Sequence, residues 1–234
     1  MSTPTQPEKL RPFLGDSFRF FKAHITPLLQ LALPMALLTW GMQTLVDQYY
    51  LNLDRDPLWP LERMTLPVIT SLLLNPLQQG AMIVLITSII AGTPRSTAQC
   101  YRIALSFWPR MVYLSIVVNI LILCGFFLFF IPGIIVLGRL ALADIHCMTG
   151  QCSAIASMER SFHSTAPQFR VILVGLLMLF VLITPLSVLV SSAVAASSIP
   201  GLSLLNTVLH TVLQSLPCIF LYRVFSDTHK ASKA

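Results

Sequence analysis

The chain has 234 residues, 55% hydrophobic and only 10% charged, with a mean hydropathy of +0.77 and a formal net charge of +6. Soluble domains carry about 25% charged residues, so this composition excludes a water-facing globular surface and, at this length, a separate soluble catalytic domain. The basic residues are scattered singly, which points to membrane orientation and not to a nucleic-acid partner.

The fold class that remains is all-α: a polytopic membrane protein of about six transmembrane helices with amphipathic interfacial helices, forming one integral membrane domain over 1–234. Five cysteines, two of them in apolar segments, do not read as a disulfide framework.

Residues 1–24 read as a cytoplasmic amphipathic segment. Leu10, Phe13, Leu14, Phe18 and Phe21 repeat at helical spacing, and Arg11, Arg19 and Lys22 fall largely off that stripe. The first apolar run, 25–46, is too long for a signal peptide and reads as a retained span. The polar stretch 47–63 holds Asp47, Asp54, Asp56 and Glu62 and reads as an external loop, with Tyr49, Tyr50 and Trp59 near the interface. The second span, 64–91, is bent by Pro67 and Pro76.

Thr93 and Pro94 are expected to open a second interfacial helix. In it Ala98, Tyr101, Ala104, Leu105 and Trp108 share one face, and Arg95, Arg102 and Arg110 carry the charge. From Met111 to Ala143 the chain is apolar for 33 residues. One helix of that length reaches about 50 Å across a core of about 30 Å, so it must break. Pro132-Gly133 supplies the expected break, giving spans 111–131 and 134–148 as a hairpin. The second arm is short and holds Arg139, Asp144 and His146, so it either crosses a thinned or protein-lined region or is re-entrant.

Charge decides the parity. Two crossings around Pro132-Gly133 put 12 of the 15 Lys and Arg on one side, with two in the outer loop and Arg139 within a span. A single crossing gives seven and seven with Arg139 apart, which the positive-inside tendency disfavours. The expected remainder is a cytoplasmic segment 149–169, a fifth span 170–193, an external turn at Ile199-Pro200-Gly201, a sixth span 202–222 and a cytoplasmic tail 223–234. Ser17-Phe18, Ser106-Phe107 and Ser161-Phe162 each precede an odd-numbered span, a weak sign of repetition at unequal offsets.

Ile131-Pro132-Gly133-Ile134-Ile135, then Leu140-Ala141-Leu142-Ala143 and Ala154 to Ser161, resemble the core of the YciC-like bacterial inner-membrane proteins. The likeness runs from Phe20-Phe21 to Tyr222-Arg223. In outline the chain also resembles the membrane portion attached to some glycerophosphodiester phosphodiesterases, whose chemistry sits in a soluble domain that has no counterpart here. The resemblance implies a six-span protein of the bacterial inner membrane and supplies no reaction and no catalytic residues, while the charge count is what puts both termini in the cytoplasm.

The sequence holds no H-E-x-x-H, Walker A loop, G-x-S-x-G elbow or intramembrane carboxylate pair, so a non-enzyme without cofactors is expected. Asp54-Arg55-Asp56 matches a metal-holding D-x-D, but it lacks flanking strands and reads as a solvated loop. His146, Cys147 and Cys152 are too few for a metal site.

Polar side chains within the spans are more informative. Ser203, Asn206, Thr207, His210, Thr211 and Gln214 form a stripe on the sixth span, and Ser71, Asn75 and Gln78 form a shorter one beside Gln79. Both stripes are expected to point into the bundle, either as interhelical glue or as the lining of a cavity. Arg139 needs a partner on another span or must snorkel outward, and Asp144, five residues on, is poorly placed to pair with it. Two functions fit: a non-enzymatic protein that organises or supports envelope proteins or lipids, with Arg11, Arg19, Lys22, Arg95, Arg102 and Arg110 on anionic lipid; or a small transporter whose stripes line a path.

Overall fold

Hydrocarbon offers no hydrogen-bond partner, so every backbone N–H and C=O of a chain this apolar must be satisfied within the protein. The computed structural model, which describes residues 6–52, 60–128, 130–150, 152–196 and 201–231, meets this requirement with helices, and no strand occurs among the described residues. In chain order they are α1 (Gln6–Ala23), α2 (Ile25–Asn52), α3 (Pro60–Ile90), α4 (Thr97–Leu128) and α5 (Phe130–Leu140), then α6 (Ala143–Gly150), α7 (Ala154–Ser164), α8 (Phe169–Ala196), α9 (Leu202–Leu213) and α10 (Ser215–Ala231). Among the described residues six segments are long and apolar enough to cross a membrane: Ile25–Tyr49, Thr65–Ile90, Thr97–Leu128, Ile131–Gly150, Ala166–Val194 and Leu202–Thr228. The protein is therefore an all-helical, multi-pass membrane protein. Asp54-Arg55-Asp56, Trp59 and Ile199-Pro200 lie outside the described residues, as do the side chains of Arg11 and Tyr50.

The core is small and the surface is apolar. Leu28, Leu31, Ile86, Leu114, Ile172 and Phe220 are fully buried, while Phe127, Leu123, Ile131 and Leu189 are exposed by two thirds or more. Such a surface is stable only against lipid tails. α1 places Phe13, Leu14, Phe18 and Phe20 against the core and packs along α10 and α8, with Arg19 and Lys22 exposed. Its apolar face is thus covered by protein, and its basic face is the one left outside.

Three boundaries differ from expectation. The stretch from Ala98 to Arg110 is not a separate surface helix but the first part of the continuous α4. Its cap is Ser96, not Thr93: Ser96 Oγ accepts from the Gln99 N–H at 3.4 Å and Gln99 Oε1 accepts from the Ser96 N–H at 3.2 Å, a reciprocal capping box. Thr93 belongs to the preceding helix end, where Gly92 at φ 71° lets the Thr93 N–H reach the Ser88 carbonyl at 3.0 Å.

In the hairpin, α4 is described to Leu128 and α5 from Phe130, and Gly125 meets Gly133, so the chain reverses between those two glycines. Pro132 sits in the first turn of α5, where its missing N–H is not needed. Gly133 serves close packing instead of a turn, since a Cβ on Gly125 would lie 2.8 Å from the Gly133 Cα. The sixth segment is also broken, into α9 and α10 at Gln214.

Beside the prolines within α2 and α3, side chains of α4 reach backbone carbonyls. Pro34 lies three residues after Leu31, whose carbonyl accepts from Tyr101 Oη at 2.6 Å. Pro76 lies three residues after Leu73, whose carbonyl accepts from Trp108 Nε1 at 2.8 Å. A proline ring crowds the preceding turn of its helix, and in a membrane a neighbouring side chain must satisfy what is freed. Tyr101 and Trp108, two turns apart on α4, add a bond in that turn of each of two different helices, at the carbonyl next to the one that loses its donor.

Tyr101→Phe is expected to lower unfolding stability in micelles by about 1 kcal/mol, within the range of interhelical hydrogen bonds in membrane proteins. In a Pro34→Ala background the same substitution should cost less. Equal costs in both backgrounds would separate the tyrosine from the proline kink.

Candidate functional site: two adjoining interior cavities

The broken fourth segment organises the site. Between α5 and α6, Ala141 and Leu142 interrupt the helix, which leaves the last carbonyls of α5 without intrahelical donors. The Arg139 carbonyl accepts from Ser161 Oγ at 2.8 Å and Thr165 Oγ1 at 3.2 Å, both at the end of α7. In return Arg139 Nη1 donates to the Phe162 carbonyl at 3.2 Å, where α7 itself runs out of donors. The guanidinium also lies 4.9 Å from the Phe162 ring centroid and 5.3 Å from that of Phe169. Arg139 thus finds partners on α7 and at the start of α8, in a carbonyl and two ring faces, while its Nε is buried with no hydrogen-bond partner among the described residues.

Asp144 occupies the first turn of α6 and lines a cavity of about 270 Å³ with Asn75, Gln78 and Gln79 of α3 and with Gln214, Ser215 and Cys218. Each contributing segment is irregular there: Pro76 lies within α3, the α5–α6 break precedes Asp144, and the α9–α10 break falls at Gln214, with Pro217 following. Asp144 has no hydrogen-bond or ionic partner among the described residues.

Gln214 and Pro217 also line a second, apolar groove of about 830 Å³. Its walls are Phe126, Ile134 and Leu137 from the hairpin and Leu173, Leu176 and Phe180 from α8, and His210 lies at its polar end. His210 Nδ1 is 3.4 Å from Gln214 Nε2. A third, open cleft of about 1060 Å³ lies between α7 and α10, lined by His146, Glu159, Arg160, His163, Tyr222 and Phe225. His146 Nε2 is 2.9 Å from Ser164 Oγ there, and among the described residues no three His, Cys, Asp or Glu side chains gather to hold a metal.

The sixth-segment stripe divides in two. Ser203 accepts from Trp40 Nε1 at 3.0 Å, tying α9 to α2, and Asn206 Nδ2 donates to Ser191 Oγ at 3.1 Å, tying α9 to α8. Thr207 and Thr211 donate to carbonyls of their own helix. This half is interhelical and intrahelical glue. His210 and Gln214 are exposed and open onto the cavities instead of pointing into packed bundle.

Asn75, Gln78 and Gln214 are therefore brought together, with His210 beside them, whereas Asn206 and Arg139 serve other contacts. Sequence reasoning did not assign Asp144 to this site, although its place in an apolar segment with no pairing base was the available signal. The exposed Arg19, Lys22, Arg95, Arg102 and Arg110 are far from sharing one site and lie along the surfaces of α1, α4 and the loop before it.

Arg139→Gln is expected to speed amide exchange across α7 while leaving the cores of α3 and α8 unchanged. Arg139→Lys should not restore protection, because an ammonium lacks the planar group that covers both rings. Unchanged exchange in α7 would show that the hydroxyl bonds to the Arg139 carbonyl hold the helix alone.

Residues 61–226 match the model of an uncharacterised protein family, UPF0259. A protein of Sodalis glossinidius (strain morsitans) described as a UPF0259 membrane protein is 24% identical over 151 residues, which cover 64% of this chain. The matched region spans 60% of that relative's length. No solved structure matches the chain. Because the matched stretch runs from α3 into α10 and includes every residue of the polar cavity, the chain belongs to the uncharacterised protein family UPF0259.

Proposed function

We propose that the protein is a non-enzymatic component of the bacterial inner membrane, with both termini cytoplasmic, that holds lipid among its helices and so organises or supports envelope lipids and proteins. The observation that carries this reading is the apolar groove between the α4–α5 hairpin and α8, about 830 Å³ in volume and ending at His210 and Gln214. A groove of this size and lining takes a hydrocarbon chain, while its polar end favours a ligand with a head. The exposed basic side chains Arg19, Lys22, Arg95, Arg102 and Arg110 add about 1 kcal/mol each where they meet an anionic leaflet. Kinship with the YciC-like proteins, and in outline with the membrane portion of some glycerophosphodiester phosphodiesterases, fits this role and adds no reaction. A non-enzyme is supported by the sequence, which carries none of the catalytic motifs weighed above.

A phospholipid carrying a photoreactive group in its acyl chain should label α8 between Leu173 and Phe180. Leu176→Trp, which fills the groove, should cut that labelling at least fivefold without lowering membrane abundance. Labelling spread evenly over all lipid-facing helices and unmoved by the tryptophan would refute groove binding.

A second reading, a small transporter, is favoured by the convergence of three irregular segments on the polar cavity, since broken helices build substrate sites in secondary transporters. Single cysteines at Ser203, Asn206 and Gln214 separate the two. A transport path makes all three reactive to a small water-borne thiol reagent, whereas lipid holding leaves Ser203→Cys and Asn206→Cys protected and only Gln214→Cys reactive.

A further inference from the structure

We propose that the polar cavity around Asp144 binds a primary ammonium group, with the Asp144 carboxylate as counter-ion and the neutral oxygens of Asn75, Gln78 and Ser215 as further acceptors. The argument begins with charge. Asp144 lies within a membrane-spanning segment, and an ionised carboxylate there demands compensation. The first turn of α6 supplies part of it through the helix dipole. Among the described residues nothing supplies the rest, since Asp144 has no ionic or hydrogen-bonding partner there. Arg139, in the same segment, is turned to Phe162 and the rings on the α7 side, and His146 is engaged with Ser164.

The lining then selects the chemistry of the partner. Among the described residues no Lys, Arg or His lines this cavity, so phosphate and carboxylate heads meet a like charge with only neutral amide donors to offset it. A metal ion bound by oxygen needs six or more ligands at about 2.3–2.6 Å, or for magnesium a near-octahedral set, and one carboxylate in a cavity of about 270 Å³ does not supply it. An ammonium carries one charge and three donors, which a carboxylate and two or three amide or hydroxyl oxygens match.

Two sources share this chemistry: the head of a long-chain amine or aminolipid, and a free small amine. The adjoining groove, which meets the cavity at Gln214 and Pro217, favours the amphiphile. That preference rests on the groove reading above, whereas the ammonium site stands without it.

The experiment uses the full chain in nonionic micelles, with binding read by native mass spectrometry for dodecylamine, dodecanoate and butylamine. Dodecylamine is expected to bind at least tenfold more tightly than dodecanoate. Asp144→Asn should weaken dodecylamine at least tenfold and leave dodecanoate unaffected or improved. Gln78→Leu, which keeps the carboxylate, should weaken the amine severalfold and serves if Asp144→Asn does not yield folded protein. Leu176→Trp should weaken dodecylamine but not butylamine.

If butylamine binds with the same dependence on Asp144 and the tryptophan affects neither amine, the ammonium site holds for a small amine and the groove reading falls. If Leu176→Trp removes both dodecyl ligands while Asp144→Asn and Gln78→Leu change amine binding by less than twofold, the groove stands and the ammonium site is overturned. Absence of amine binding to the unmodified chain overturns it as well.

Discussion

The reciprocal bond between Arg139 and α7 is the interaction on which the interior depends. A break at Ala141-Leu142 would leave carbonyls of α5 unsatisfied beside lipid, a cost of several kcal/mol per group. Ser161 and Thr165 answer the Arg139 carbonyl, and the Arg139 side chain answers the Phe162 carbonyl in the opposite direction. Two helix ends thus cap each other through one residue and its partners. Because the break is stabilised from the α7 side, α6 is free to leave the line of α5, and Asp144 in its first turn comes to face α3 and α10. The cavity exists because the helix is interrupted, and the interruption persists because α7 is docked on it.

The same requirement explains the prolines. Pro34 and Pro76 each remove a donor from the interior of a spanning helix, and an isolated helix in lipid would carry that loss unrelieved. Tyr101 and Trp108 tie α4 to the helix turn before Pro34 and before Pro76 by direct hydrogen bonds. α4 is therefore more than one wall of the bundle: its two aromatic donors set how α2 and α3 may bend. Gly125 and Gly133 then let the α5 backbone approach α4 closely, which fixes the hairpin that forms one side of the apolar groove.

Much of the architecture was legible in the sequence because lipid imposes length and polarity on every span. The six apolar segments and the helical N-terminal stripe follow from hydropathy and helical period, although the stripe packs on protein where a surface helix was expected. What escaped has a common cause. The partners of Tyr101, Trp108 and Arg139 are backbone carbonyls, which every residue carries and no residue type announces. Tyr101 and Trp108 read from sequence as the face of a surface helix, since amphipathic periodicity says that a face is covered without saying by what. Gly133 meets Gly125 across the hairpin, a close packing that turn propensity does not announce. Asp144 was weighed only against Arg139, its neighbour in sequence, although its surroundings come from α3 and α10.

The divided stripe on the sixth segment shows what turns polar periodicity into a site. Ser203 and Asn206 are matched one to one by Trp40 and Ser191, and a stripe completed in that way is used up by packing. His210 and Gln214 continue the same face two turns on, but the helix breaks beneath them, and the surface they present belongs to a cavity. Hydrocarbon alone would satisfy Leu173, Leu176 and Phe180 and leave Asp144, Gln78 and Gln214 without partners. Water alone would satisfy the second set and wet the first. Because the two surfaces meet at Gln214 and Pro217 and neither solvent suits both, the occupant that best fits the pair is itself amphiphilic, with its polar end toward Asp144 and its chain along α8.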